Sequence, residues 1–267
     1  MAEEQADKAV CAGEPGMHTD ETTGLAQSID FPNRRPWLPA AVLVALGAAS
    51  LTVDLPVSHW ATTTVLPGSV RKLIEIGETF GHGIGVLLIV AAAYSLDPGR
   101  RWALPRLLAV TYGSGLAANL AKFVFVRTRP RGFDLATTDV WLTFQGWLPP
   151  WQRASVNESF PSAHTATAVA FAVALACLYP QARRFLFGLA ALVGLQRVVS
   201  GAHYLSDVCC GAAVGWLAAC AILSLPGSVA WRERLRGQTS AADGNGVPSL
   251  FSPDLAAAAV EDRASAA

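Results

Sequence analysis

Charge is scarce in this sequence: Asp, Glu, Lys and Arg make up 15% of its 267 residues, against 52% hydrophobic. A soluble chain carries about a quarter charged residues, so this deficit, with a positive mean hydropathy, points to a bilayer as solvent. The charge that is present is balanced, with 20 basic and 20 acidic residues. No basic excess exists to neutralise a nucleic-acid backbone, which argues against a nucleic-acid partner. Cysteine is sparse and odd in number: Cys11, Cys177, Cys209, Cys210 and Cys220, four of them within apolar runs. Neither spacing nor a His partner fits a disulfide framework or a metal site, and no cofactor is expected. The N-terminus opens on an acidic, apolar-poor stretch through Asp30 that lacks the basic start and small-residue cleavage site of a secretory signal. Membrane insertion is therefore expected to use internal helices.

What the chain has in abundance is apolar sequence in blocks. Six runs, near 37–53, 79–96, 107–125, 163–179, 185–199 and 208–225, approach the roughly 17 to 25 residues that span a hydrocarbon core. Lipid forbids unpaired backbone, so the spans are expected to be α-helical and the fold all-α: a polytopic membrane protein of six transmembrane helices in one bundle. This membrane domain covers 36–226, between tails at 1–35 and 227–267 whose Ala, Gly, Ser and acidic composition predicts disorder. Small residues such as Gly113, Gly115 and Ala117 in the third run, and Gly211, Ala212 and Gly215 in the sixth, suit close helix packing.

Arg34, Arg35, Arg100, Arg101, Arg106, Arg183, Arg184, Arg232, Arg234 and Arg236 fall on one side of the bundle with both tails. Arg71, Lys72, Arg127, Arg131 and Arg153 fall on the other. The positive-inside rule then places both termini in the cytoplasm. The longest connection, 126–162, carries Trp141, Trp147 and Trp151 on the opposite side, as a lid or as a ledge anchored at the headgroups.

Charges near the membrane are costly and ask for a partner or a purpose. The third run ends Lys122-Phe-Val-Phe-Val-Arg127-Thr-Arg129-Pro130. If the helix continues, Lys122 and Arg129 share one stripe, and Pro130 discourages its extension. The fourth run begins Pro161-Ser162-Ala163-His164, where free amides of a helix N-terminus and a hydroxyl favour an anion. Between the fifth and sixth runs lies Gln196-Arg197-Val-Val-Ser-Gly-Ala-His203-Tyr-Leu-Ser-Asp207. Four residues apart on a helix face, the Asp207 carboxylate can hold one nitrogen of the His203 imidazole and leave the other to attack. With alternating spans, all three segments emerge on the side opposite the tails. Singly, each has a plainer reading: Lys122 can snorkel, Arg129 and Arg197 can anchor helix ends, and His203 and Asp207 can form a capping pair. His82 is read as a helix-packing residue, and His59 and His18 as solvated.

These segments resemble the signature of the type 2 phosphatidic acid phosphatase superfamily. That signature is Lys, six residues, Arg-Pro; then Pro-Ser-Gly-His; then Ser-Arg, five residues, His, three residues, Asp. Lys122, Arg129 and Pro130 meet the first part, Pro161, Ser162 and His164 the second, and Arg197, His203 and Asp207 the third. Ala163 stands where the family has Gly, and Gln196 where it has Ser. The resemblance implies a metal-independent lipid phosphatase at the extracytoplasmic face of a bacterial inner membrane. In it His203, oriented by Asp207, becomes a phosphohistidine and His164 serves as acid and then base. Lys122, Arg129, Arg197, Ser162 and the Ala163 amide would hold the phosphoryl oxygens. Its partners would be the bilayer and a lipid phosphate or diphosphate; polyprenyl diphosphate, phosphatidylglycerol phosphate, phosphatidic acid and lipid A all satisfy the motif. Phosphoryl transfer to another acceptor, and non-catalytic lipid-phosphate binding or transport, remain alternative readings, and oligomeric state is not encoded in the motifs.

Overall fold

A computed structural model describes residues 35–147, 158–226, 231, 233 and 234. The expected tails lie almost wholly outside the described residues, as do Cys11, His18, Arg153 and Trp151. Each of the six apolar runs carries a helix. These are α1 (Trp37–Ser50), α4 (Gly83–Leu96), α5 (Leu104–Lys122), α6 (Ala163–Leu178), α7 (Arg183–Val199) and α8 (Leu205–Ser224). Two further helices, α2 (Asp54–Thr63) and α3 (Gly68–Gly77), occupy the connection between the first two runs.

Of the described helices, α8 alone is both long and apolar enough to cross a hydrocarbon core by itself. The pairs α1 with α2 and Gly68–Phe80 with α4 meet the same measure when taken together, though they bend by 76° and 72°. Helix α6 is apolar but shorter, at 16 residues.

The all-α expectation needs one correction. Chain after Lys122 leaves the helix and forms β1 (Phe125–Arg127), paired antiparallel with β2 (Phe144–Trp147). Aromatic and β-branched residues dominate Phe123-Val-Phe-Val and favour a pleated strand over another helical turn. Lys122 and Arg129 therefore do not share a helical stripe; a strand places the second.

Helix α6 is central, packed against α5, α7 and α8. From Thr165 to Leu178 its side chains are buried all round, with Cys177 alone at partial exposure. A small, apolar composition on every face suits such a position, where a one-sided helix would strand polar groups. Outward-facing Leu46, Ile84, Leu88, Leu116, Phe185 and Leu217 are exposed on the surrounding helices, as a lipid-facing shell requires.

Two glycines set the α6–α8 approach. A Cβ on Gly211 would lie 2.4 Å from the Ser162 carbonyl oxygen, and one on Gly215 2.3 Å from that of Ala166. Both clashes are with backbone, so a side chain could be accommodated only if a helix moved. Gly211→Ala is expected to destabilise the fold by about 1–3 kcal/mol. Gly188→Ala, whose new methyl meets open space, should be neutral or stabilising by up to about 1 kcal/mol. Thermal unfolding of the two variants in detergent checks the opposite signs.

Candidate active site

Among the described residues the largest fully buried side chain is a cation, counted above with the flanking charges. Arg127, the last residue of β1, is fully buried. Its guanidinium donates to Thr143 Oγ1 (2.9 Å), Ser206 Oγ (2.7 Å), Asp207 Oδ1 (2.5 Å) and Asp54 Oδ2 (2.8 Å). The rings of Phe144 and Tyr204 lie 4.5 Å and 3.9 Å from it, enclosing the planar cation. Asp54, at the head of α2, also accepts from the backbone N–H of Ser206 (3.0 Å) and from the Ser206 hydroxyl. An arginine fits here because its fork can satisfy two carboxylates and two hydroxyls together.

That network fixes the carboxylate behind His203. Asp207 Oδ2 accepts from the Tyr204 backbone N–H (2.9 Å) and from the Ser159 hydroxyl. His203 Nδ1 lies 3.7 Å from the same oxygen, an ion-pair distance beyond a direct hydrogen bond, and 3.5 Å from Ser159 Oγ. Ser159 is thus wedged between acid and imidazole. His203 itself precedes α8, its ring buried, with the Nδ1 edge toward Asp207. Burial pushes the His203 pKa below the ordinary histidine value, Lys122 and Arg129 push the same way, and the Asp207 carboxylate opposes them. A lowered pKa favours the neutral imidazole, the form that keeps a lone pair on one nitrogen.

The three sequence segments meet around this ring. Ser159 is brought in by the ribbon, since its N–H donates to the Arg127 carbonyl (2.8 Å) beside a bridge between Thr128 and Glu158. Two residues past Arg127, Arg129 is partly buried, with Nε 3.4 Å from the Glu158 carbonyl. Burial first, then neighbouring Arg131, lowers its pKa, which Asp207 partly offsets; a guanidinium so far above neutrality stays charged.

Ser162 caps α6, its hydroxyl oxygen accepting from Thr165 Oγ1 (2.9 Å) and Thr165 N–H (3.4 Å). Its own N–H donates to the Asp207 carbonyl (3.1 Å), tying the second motif to the third. Ala163 and His164 form the first turn of α6, where backbone amides have no intrahelical acceptor and face an anion well. Ala163 is helical, so the position asks for no left-handed backbone and tolerates the methyl that replaces glycine.

Gln196 also has a visible task. Its amide donates to Glu78 Oε2 (2.9 Å) while its Oε1 accepts from Arg197 Nε (2.5 Å). Glu78 Oε1 takes Arg197 Nη2 at 2.5 Å and lies 3.8 Å from His164 Nε2. Arg197 is therefore clamped along one edge, leaving Nη1 for an anion. His82, expected to serve helix packing, is instead exposed at the head of α4, its ring centroid 5.8 Å from that of His164. His59 is exposed as expected, on α2 and not in a loop.

Arg127, Asp54, Ser159 and Glu78 are the residues that motif reading missed. Asp54 and Glu78 had a signal, as acids within or beside apolar runs. Ser159 had none, because its position follows from strand pairing.

The family model for the PAP2 superfamily matches residues 103–230. The chain is 32% identical over 195 residues to a lipid A 1-phosphatase of Rhizobium etli, covering 66% of this chain and 79% of that one. It is 41% identical over 102 residues to a lipid A 1-phosphatase of Rhizobium johnstonii, covering 38% of this chain and 39% of the other. The crystal structure of a transmembrane PAP2 type phosphatidylglycerolphosphate phosphatase from Bacillus subtilis superposes with a TM-score of 0.49 at 19% identity, over 70% of this chain and 92% of that one.

Removing the central cation would leave two buried carboxylates uncompensated. Arg127→Met is expected to destabilise the protein by about 3–5 kcal/mol. Adding Asp54→Asn should recover part of that loss, which denaturation of the single and double variants measures. A single variant as stable as the parent would contradict the network's role.

Proposed function

The chain belongs to the PAP2 superfamily and is a membrane lipid phosphatase, and we propose that it works through a phosphohistidine on His203. The observation that carries this reading is a buried imidazole whose Nδ1 edge is turned to a fixed carboxylate 3.7 Å away, with Lys122 and Arg129 near enough to act on it and its backbone tied to Arg197. His203 Nε2 attacks phosphorus, the bond from phosphorus to the lipid oxygen breaks, and His164 gives that oxygen its proton. Water, losing a proton to His164, then attacks the phosphohistidine; the P–N bond breaks, inorganic phosphate leaves and both imidazoles are restored.

Lys122, Arg129 and Arg197, with the amides of Ala163 and His164, hold the phosphoryl oxygens and balance the charge that builds on them. These cations supply the electrostatic work, so the reaction proceeds without a metal. A pure binder or transporter would need the cations but not the positioned imidazole, carboxylate and second histidine.

In the membrane, α1, α4, α5, α6, α7 and α8 are the six spans, the bent α1–α2 and α3–α4 pairs being completed by helices that turn along the surface. Both termini lie in the cytoplasm of a bacterium and the site opens at the extracytoplasmic face of its inner membrane, as the arginine distribution favours. Two relatives named for lipid A make the 1-phosphate of lipid A the first substrate to try, ahead of phosphatidic acid, phosphatidylglycerol phosphate and polyprenyl diphosphate.

Purified protein is expected to release phosphate from a lipid phosphate in the presence of chelator, and His203→Ala to lower that rate by at least roughly a thousandfold. Retention of activity by the variant would reject the nucleophile. The neutral imidazole is the reactive form, and burial lowers its pKa, so the acid limb of kcat/KM should fall below the ordinary value of 6.5. Asp207→Asn removes the group that raises this pKa and should move the limb lower still while slowing the reaction. A limb above 6.5 would contradict the assignment.

A further inference from the structure

Glu78 belongs to none of the signature motifs, yet its carboxylate ends inside the cluster they form. It stands on the single turn Glu78–Phe80 between α3 and α4, and that turn is held from two sides. A Cβ on Gly77 would lie 2.6 Å from the Leu192 side chain of α7, and one on Gly81 2.7 Å from the His164 carbonyl oxygen at the start of α6. Phe80 is buried, its ring centroid 4.9 Å from that of Phe171 in α6. Backbone packed this closely has little room to shift, so it delivers the Glu78 carboxylate to a fixed place between α6 and α7.

There three side chains close on one another. Arg197 Nε donates to Gln196 Oε1 (2.5 Å), Arg197 Nη2 lies 2.5 Å from Glu78 Oε1, and Gln196 Nε2 donates to Glu78 Oε2 (2.9 Å). The Nε and Nη2 edge of the guanidinium is thereby occupied, which fixes the plane of the group and the direction in which Nη1 points. Gln196 and Arg197 are buried, so a donor or acceptor left unmatched between them bears its full desolvation cost.

This clamp constrains which residue types can build it. Arg197 brings only donors, so positions 78 and 196 must each turn an acceptor to it. The contact that remains between those two positions needs one donor and one acceptor. A carboxylate with an amide satisfies it. Two amides set N–H against N–H, and two carboxylates set charge against charge. Serine, which the family signature has at position 196, lacks the amide's second polar atom.

We propose that Glu78 is a positioning residue of the active site: with Gln196 it holds the Arg197 guanidinium in the orientation that meets the phosphoryl oxygens. Glu78 acts through Arg197 and takes no part in making or breaking bonds. Gln196 is the matched half of the same device, and each residue depends on the other. This deepens the phosphatase reading, resting on Arg197 as a phosphate ligand.

The test exchanges amide and carboxylate in full-length protein in nanodiscs. Glu78→Gln puts two amides in the clamp and Gln196→Glu two carboxylates, and each is expected to lower kcat for phosphate release from a lipid phosphate by about 10- to 100-fold. Combining Glu78→Gln with Gln196→Glu restores one carboxylate, one amide and every contact of the clamp, and should bring kcat back to within about fivefold of the parent. Losses that multiply in the combined variant would overturn the proposal. A second readout needs no turnover: solvent exchange of side-chain Nε–H resonances in protein carrying isotope-labelled arginine. The Arg197 Nε–H, assigned by its loss in Arg197→Lys, should exchange slowly in the parent and in the combined variant, and fast in each single one. The Arg127 Nε–H, donated to Thr143 Oγ1, should stay protected throughout and reports that the fold is intact. An Arg197 Nε–H protected in both single variants, or one that returns in the combined variant without return of kcat, would overturn the clamp's role. A parent that releases no phosphate from any lipid phosphate would instead reject the phosphatase reading, and the resonances would still decide the clamp.

Discussion

A single buried guanidinium holds the working parts of this protein in register. Arg127 reaches from the ribbon to Asp54 at the head of α2 and to Asp207 in the first turn of α8, so three segments distant in sequence share one charge cluster. Burying three ionised groups is expensive unless each is paired and hydrogen-bonded. Here hydroxyls, backbone N–H groups and two aromatic rings complete the shell. The consequence is positional: the same strand end that buries Arg127 presents Arg129 two residues later, and the same carboxylate that receives Arg127 faces His203.

The second constraint is steric. Glycines at 211 and 215 let α8 press against the backbone of α6, which brings the capped N-terminus of α6 beside the first turn of α8. Ser162 N–H on the Asp207 carbonyl is a direct product of that approach. The helix start whose amides lack intrahelical acceptors and the helix start that carries the carboxylate behind His203 are thus one packed unit. Electrostatics aligns Asp207 with His203, and small side chains let the two helix starts come close.

Much of this was legible in the chain. Apolar run length located all six of these helices, and the motif spacings named Lys122, Arg129, His164, Arg197, His203 and Asp207 as candidates for one shared site. What could not be read depended on tertiary pairing. Arg127 looked like one more flanking charge because nothing local distinguishes a buried arginine from a headgroup anchor. The turn into a strand after Lys122 depends on a partner, Phe144–Trp147, that sequence periodicity does not announce. Gln196 stands where the family has serine, and only the position of Glu78, brought by a segment distant in sequence, explains how the longer amide clamps Arg197.

Whether phosphorus passes through His203 is decided most directly by rapid quench of the enzyme with a lipid phosphate labelled at phosphorus, followed by peptide mapping under alkaline conditions that preserve phosphohistidine. The account predicts transient label on the peptide containing His203, formed and lost at rates compatible with turnover. Label on another residue, or turnover with inversion of configuration at phosphorus and no labelled protein, would contradict it.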